Sequence, residues 1–230
     1  MKTLSVMLVV ALAFAPSSNG EAQQIDQSNV VDISGGFASA NVNSWNQLAQ
    51  TFTAGRSGLL TEVDLQLVAF GDLSTLTNNI IFTISRLSSL NSPVGVPLAT
   101  VTLHPSDLPH LDQAGYDAKY LLPVHLNSAP FISQGGFFSL TLTSAQPWDS
   151  GGYMDWIVTQ SVNIDRYPAG NAWENNNATG WYKDAYQVDY GFRTYVTPVP
   201  EPSAVNFLAL AASFMAGVSL VRRTRCGNAR

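Results

Sequence analysis

Leu59-Leu60-Thr61-Glu62-Val63-Asp64-Leu65-Gln66-Leu67 decides the fold class. Its apolar residues recur with a period of two, so Leu59, Thr61, Val63, Leu65 and Leu67 are expected on a core face. Leu60, Glu62, Asp64 and Gln66 are expected on the opposite, mostly wetted face. A strand with one buried face needs partners, and the same period recurs at Gln47 to Thr53, Asn79 to Leu87, Leu98 to Leu103 and Lys119 to Leu126. It appears again at Gly136 to Thr143, Met154 to Gln160 and Tyr186 to Val196.

Between these runs lie the residues that turns require: Gly55 with Ser57-Gly58, Asn78-Asn79, Asn91-Ser92-Pro93, Gly115, Gly135-Gly136 and Gly151-Gly152. Gly55-Arg56-Ser57-Gly58 reads as a hairpin turn. No amphipathic helix is visible beyond one turn at His104 to Leu108. Eight or nine short strands without strand-helix alternation predict an all-β domain, an antiparallel jelly-roll-like β-sandwich, with a β-barrel as the competing architecture.

The two ends of the chain have a different character. Lys2, an apolar stretch from Leu4 to Phe14 and the small residues Gly20 and Ala22 predict a signal peptide over residues 1–22, cleaved after Ala22. At the other end, Ser203 to Val221 carries no charge and is about 19 residues long. At about 1.5 Å per residue it measures roughly 29 Å, enough to cross a bilayer core of about 30 Å. Arg222, Arg223 and Arg225 follow it, which orients this C-terminal single transmembrane helix with residues before Pro200 on the translocated side. The expected organisation is a sandwich over residues 23–196 and a tail over residues 197–230, joined by the stiff connector Thr197-Pro198-Val199-Pro200.

Composition narrows the chemistry of the exported part. The single cysteine, Cys226, lies beyond the apolar span, so residues 23–199 hold no thiol for a disulfide, a thiolate metal site or a nucleophile. That segment has about 6 basic and 14 acidic residues, a net charge near −8, which disfavours nucleic acid. His104, His110 and His125 lack the spacing of metal ligands, and no nucleophile elbow, His-Glu-x-x-His or phosphate loop occurs. Glu62 and Asp64 share a strand face, which alternation explains as polar positions rather than as an acid/base pair. No catalytic residue, metal ligand or cofactor is expected.

The longest stretch without periodicity runs from Asp165 to Ala185, and it is expected to be an irregular loop. Trp173, Trp181, Tyr182 and Tyr186 crowd it together with Asn171, Asn175, Asn176 and Asn177. Flat aromatic faces beside amides suit a sugar ring, so these residues are carbohydrate-binding candidates. The competing reading closes one end of the sandwich with Trp173 and Trp181. Asp184 and Asp189 offer oxygen ligands to Ca²⁺, although their spacing fits no loop signature.

Val199-Pro200-Glu201-Pro202, the apolar span and Arg222-Arg223-Thr224-Arg225, in that order, resemble the PEP-CTERM sorting signal of exported proteins in Gram-negative bacteria that make exopolysaccharide. The resemblance implies recognition by an exosortase, a membrane-embedded protease acting near Pro-Glu-Pro. It also implies a membrane-anchored precursor whose mature form sits at the cell surface or in the extracellular biofilm matrix. Gln50-Thr51-Phe52-Thr53-Ala54-Gly55 and Asp189-Tyr190-Gly191-Phe192-Arg193-Thr194-Tyr195 resemble the opening and closing strands of choice-of-anchor β-sandwich domains. The expected function is a structural or adhesive role without catalysis, or else carbohydrate binding through loop 165–185.

Overall fold

The computed structural model describes residues 22–32, 38–110, 121–159, 167–177, 179–183 and 188–199. Among them the chain is all-β, with fourteen strands and two 3-10 turns. The larger sheet contains, in spatial order, β13 (Gly180–Lys183), β12 (Gly170–Asn176), β3 (Asn46–Thr53), β10 (Phe137–Ser144), β6 (Ile80–Leu87) and β7 (Val96–Leu103). A second sheet runs β1 (Gln24–Asn29), β14 (Phe192–Thr197), β4 (Gly58–Leu65) and β8 (Leu122–His125), with β9 (Phe131–Ile132) also paired to β4. The third holds β2 (Ala38–Asn41), β11 (Gly152–Val158) and β5 (Leu67–Gly71). Among the described residues the pairings between these strands are all antiparallel, with one isolated parallel bridge between Ala69 and His110, and the sheets do not close into a barrel. The helical turn expected near His104 is the 3-10 turn Pro105–Asp107.

Fourteen strands exceed the eight or nine expected. The extra ones include Gln24–Asn29, Ala38–Asn41 and the asparagine-rich Gly170–Asn176, which have weak alternation of their own. They form because a neighbouring strand offers an unpaired ladder, a tertiary effect that outweighs local preference.

The stretch from Leu59 to Leu67 departs from simple alternation twice. Opposite it, Tyr195 pairs with Glu62 but Val196 with Leu60, so Thr61 is an extra residue. Such a bulge reverses the phase of the pleat. Leu60 is therefore fully buried and Leu59 is 37% exposed, while Val63 and Leu65 stay inward as expected.

The second departure is Gln66, expected to face solvent but buried between β4 and β5. Its backbone N–H donates to Gly191 O at 3.0 Å and its carbonyl accepts from Ile157 N at 2.9 Å, which joins the second and third sheets. Its side-chain amide accepts from Val31 N at 2.6 Å and donates to Val31 O at 2.8 Å, acting as a substitute peptide group for the chain after β1. A buried polar side chain is tolerated when each of its groups is paired in this way.

The larger sheet packs its inward face against the other two in a sandwich-like arrangement. Leu48, Phe52, Phe82, Ile84, Phe138, Leu140 and Leu142 come from one side, and Leu60, Val63, Leu65, Trp156 and Phe192 from the other. The Phe52 ring lies 5.5 Å from that of Phe138 and 6.0 Å from that of Phe192, so it contacts both layers. Trp156 stacks on Tyr190 at 4.5 Å and donates its indole N–H to Gly191 O at 2.8 Å.

Register also defines two ends. Thr53 pairs with Phe137 and Gly170 with Phe52, so the turns before β10 and after β3 share one end with Thr197, which closes on Gly58. Since β3 and β4 belong to different sheets, Gly55-Arg56-Ser57-Gly58 is a crossing between layers rather than the expected hairpin turn. Asn46 pairs with Asn176 at the opposite end, about 24 Å away along the strand at about 3.4 Å per residue.

Candidate functional site

Most of the expected irregular loop is a β-hairpin. β12 lies along β3 and turns back into β13, and the turn is made by Asn176, whose side-chain oxygen accepts from Thr179 N at 2.8 Å and Thr179 Oγ1 at 2.6 Å. Gly180, with φ +73°, then starts β13 in a conformation that favours glycine. The asparagines hid this hairpin because they are poor strand formers in isolation. Here Asn171 N donates to Thr51 Oγ1 at 2.9 Å, and that hydroxyl donates to Asn171 O at 3.2 Å, reinforcing the ladder to β3.

The hairpin separates the aromatic candidates. Trp173 pairs with Lys183 and Asn175 with Trp181, which sets Trp173 and Trp181 on one face. Tyr182 lies on the other, where its hydroxyl donates to Glu174 Oε2 at 2.9 Å. Trp173 is only 8% exposed and its buried indole N–H has no hydrogen-bond partner among the described residues; Trp181 is half-buried, and Tyr182 is 39% exposed. Tyr186 lies outside the described residues, as does Asp184. Asp189 is buried and structural: it accepts from Gln50 Nε2 at 3.0 Å and Tyr167 N at 3.2 Å.

Two other tryptophans are the conspicuous surface aromatics. Trp45 is 52% and Trp148 58% exposed, and together with Asn43 and Asn46 they line an open pocket of about 390 Å³ at the end of the larger sheet where β12 turns into β13. Their loops are firmly held. Asn43 Oδ1 accepts from Trp45 N at 2.8 Å and Asn46 N at 2.9 Å, while Asn43 Nδ2 donates to Asn41 Oδ1. Ser44 N donates to Gln146 O at 2.9 Å, tying the Trp45 turn to the loop that carries Trp148. The buried Gln146 side chain accepts from Thr77 N and Asn78 N, each at 3.1 Å, and donates to Thr75 O at 2.8 Å. Asn177 completes the end through Nδ2 to Ser44 O at 2.7 Å and N to Trp45 O at 3.2 Å. Sequence reading passed over Trp45 and Trp148 because neither stands in an aromatic cluster; a lone Trp beside Asn-x-x-Asn or Gln-Pro was the available signal.

Two carboxylates of β4 are engaged in pairs. On the outer face of β4, Glu62 contacts His125 Nδ1 at 2.8 Å, and Asp64 accepts from the Tyr195 hydroxyl at 2.8 Å with Arg193 3.9 Å away. Burial raises the Asp64 carboxyl above the ordinary range; the Tyr195 hydrogen bond opposes this and Glu62 adds to it. Burial likewise raises Asp155, against the hydrogen bonds from Ser39 and Asn41. Among the described residues no three His, Cys, Asp or Glu side chains gather as a metal site.

At the end where the chain leaves the sandwich, Asp26, Gly55, Arg56, Ser57, Gln134 and Pro198 line a polar cleft of about 600 Å³. Burial raises the Asp26 carboxyl, opposed by the nearby Arg56 and Gly55 amides and the Arg56 charge. Its oxygens are covered, and among the described residues the Arg56 and Gly55 amides lie near them without forming a close hydrogen bond. Val199, 48% exposed, follows this cleft. Pro200, Glu201, Pro202, the apolar span and Arg222, Arg223 and Arg225 lie outside the described residues, as do residues 1–21. Among the described residues no helix is long and apolar enough to cross a membrane. No family model and no curated protein matches the chain.

Proposed function

We propose that this chain is an exported cell-surface or exopolysaccharide-matrix protein with a structural or adhesive role and no catalytic activity, processed by an exosortase-type membrane protease in a Gram-negative bacterium. The observation that carries this reading is the order Val199-Pro200-Glu201-Pro202, uncharged span, Arg222-Arg223-Thr224-Arg225. The signal peptide over residues 1–22 and the C-terminal transmembrane helix over 203–221 belong to the same proposal, as does the jelly-roll-like character of the domain between them. The pairing of Gln24 with Val196 supports it physically. Cleavage after Ala22 and near Pro200 cuts outside the last ladder positions at one end of the sandwich and leaves the edge strand β1 and its neighbour β14 intact. Mass spectrometry of protein recovered from the outer surface tests it: the expected chain starts at Gln23 and ends near Pro200. An intact C-terminus at Arg230 leaves a simple single-pass anchor instead.

A second reading is non-catalytic carbohydrate binding through the hairpin within residues 165–185. Its support is the 39% exposure of Tyr182 beside Glu174 and the half-buried Trp181. Affinity electrophoresis of the Trp181→Ala, Tyr182→Ala double variant through polysaccharide-containing gels tests it. Retardation unchanged from that of the parent chain counts against it.

A further inference from the structure

We infer that the pocket between Trp45 and Trp148 binds a neutral polysaccharide, with pyranose rings seated on the two indoles. Most large aromatic rings elsewhere among the described residues are buried or matched, as where Trp156 stacks on Tyr190, Phe70 on Tyr153 and Tyr167 meets Phe192 edge-on; Phe131, 47% exposed, and Tyr182, 39% exposed, are less open than the two indoles. Among the described residues Trp45 and Trp148 have no ring partner, and each leaves more than half of its surface in water. An indole has a large apolar face whose burial is favourable, so this exposure keeps apolar area in reserve for a ligand.

The loops beneath the indoles are already ordered. The paired amides of Asn43 and Gln146 fix the backbone on both sides of the pocket, so binding need not pay to organise it. Among the described residues the lining contains no formal charge, and the Asn46 side chain has no hydrogen-bond partner. An aromatic face beside an uncommitted amide matches the C–H face and hydroxyl rim of an uncharged sugar. An acidic glycan meets a domain of net charge near −8 instead.

Magnitude separates this occupant from a second copy of the chain. A Trp buries roughly 150–250 Å² at most, so two half-exposed indoles supply about 200 Å². A stable protein interface needs about 800 Å² per partner. The pocket volume of about 390 Å³ lies within the roughly 300–1,000 Å³ of small-ligand sites. The proposal is independent of the sorting reading, because it uses no residue after Trp148 except Asn177.

The test uses the full chain in a detergent without a sugar headgroup, run through native gels containing hydroxyethyl cellulose, dextran, galactomannan or, as the acidic comparison, alginate. Retardation is expected in at least one neutral gel and weaker in alginate. Trp45→Ala, Trp148→Ala should lower the affinity about tenfold or more, and both sites are exposed enough for the fold to survive. Acrylamide quenching of tryptophan fluorescence should fall on adding the retarding polysaccharide to the parent chain only. Absence of retardation in every neutral gel overturns the proposal, as does retardation unchanged in the double variant. Loss confined to Trp181→Ala, Tyr182→Ala assigns binding to the hairpin instead. A concentration-dependent dimer abolished by Trp45→Ala, Trp148→Ala assigns the pocket to self-association.

Discussion

The two ends of the sandwich solve opposite problems. At the end where the chain leaves, Thr197 closes on Gly58, where a Cβ would meet its carbonyl oxygen at 2.6 Å, and Asp26 lies covered beside Arg56. Charge there is sequestered and the backbone is packed tightly around the connector. At the far end no charged residue among the described ones lines the pocket, and the Asn43 and Gln146 amides already hold backbone groups, supporting two indoles in water. Buried hydrogen bonds are used at both ends, but only the far end spends its order on presenting apolar surface. Under the proposed role the chain would be attached at the end where it leaves the sandwich and would present the indoles at the other, which suits adhesion better than a purely structural part.

The contrast can be broken at its middle. Phe52 touches both layers midway along the fold, and Phe52→Ala should cost about 3–5 kcal/mol through lost burial and a residual cavity. Denaturant unfolding followed by tryptophan fluorescence and by far-UV dichroism should give coincident transitions at the lower midpoint. Separate transitions would mean that the two ends are independent units. A smaller effect is expected from Gln146→Ala, which strands the Thr77 and Asn78 amides and the Thr75 carbonyl. The cost should be about 1–3 kcal/mol, with weaker polysaccharide retardation because the Trp148 loop loosens. Undiminished retardation in a Gln146→Ala protein of reduced stability would show that the platform does not depend on this support.

The sheet architecture was legible where the period of two is sustained. Asn79 to Leu87 and Gly136 to Thr143 were expected as strands and are strands, and they bury Ile80, Phe82, Ile84, Phe138, Leu140 and Leu142. What was not legible depended on a partner strand. The bulge at Thr61 exists only against β14, and Gln66 is buried only because Val31 accepts its amide as a surrogate peptide. Gly170-Asn171-Ala172-Trp173-Glu174-Asn175-Asn176 is a strand because β3 presents a free edge to it. For the candidate site, aromatic clustering along the chain misled, since alternate residues of a hairpin point to opposite faces. Trp45 and Trp148 are 103 positions apart and meet at one pocket through the Ser44 to Gln146 hydrogen bond.

The smallest predicted effect concerns the attachment end and carries a definite sign. Asp26 has its carboxyl raised above its ordinary value by burial, so between about pH 4 and that raised value the folded chain holds a proton that the unfolded chain has released. Unfolding then releases protons, and stability falls as pH rises through this window. In Asp26→Asn the group cannot ionise, so the variant should gain on the parent as pH increases from below 4 toward neutrality, then keep a constant offset. Thermal melts of both chains across that range, compared as a difference, isolate Asp26 from the other carboxylates. A difference that is flat, or that shrinks with rising pH, would mean the Arg56 charge and the Gly55 and Arg56 amides outweigh burial. The attachment end would then hold an ordinary surface carboxylate, and the asymmetry between the two ends would rest on the exposed indoles alone.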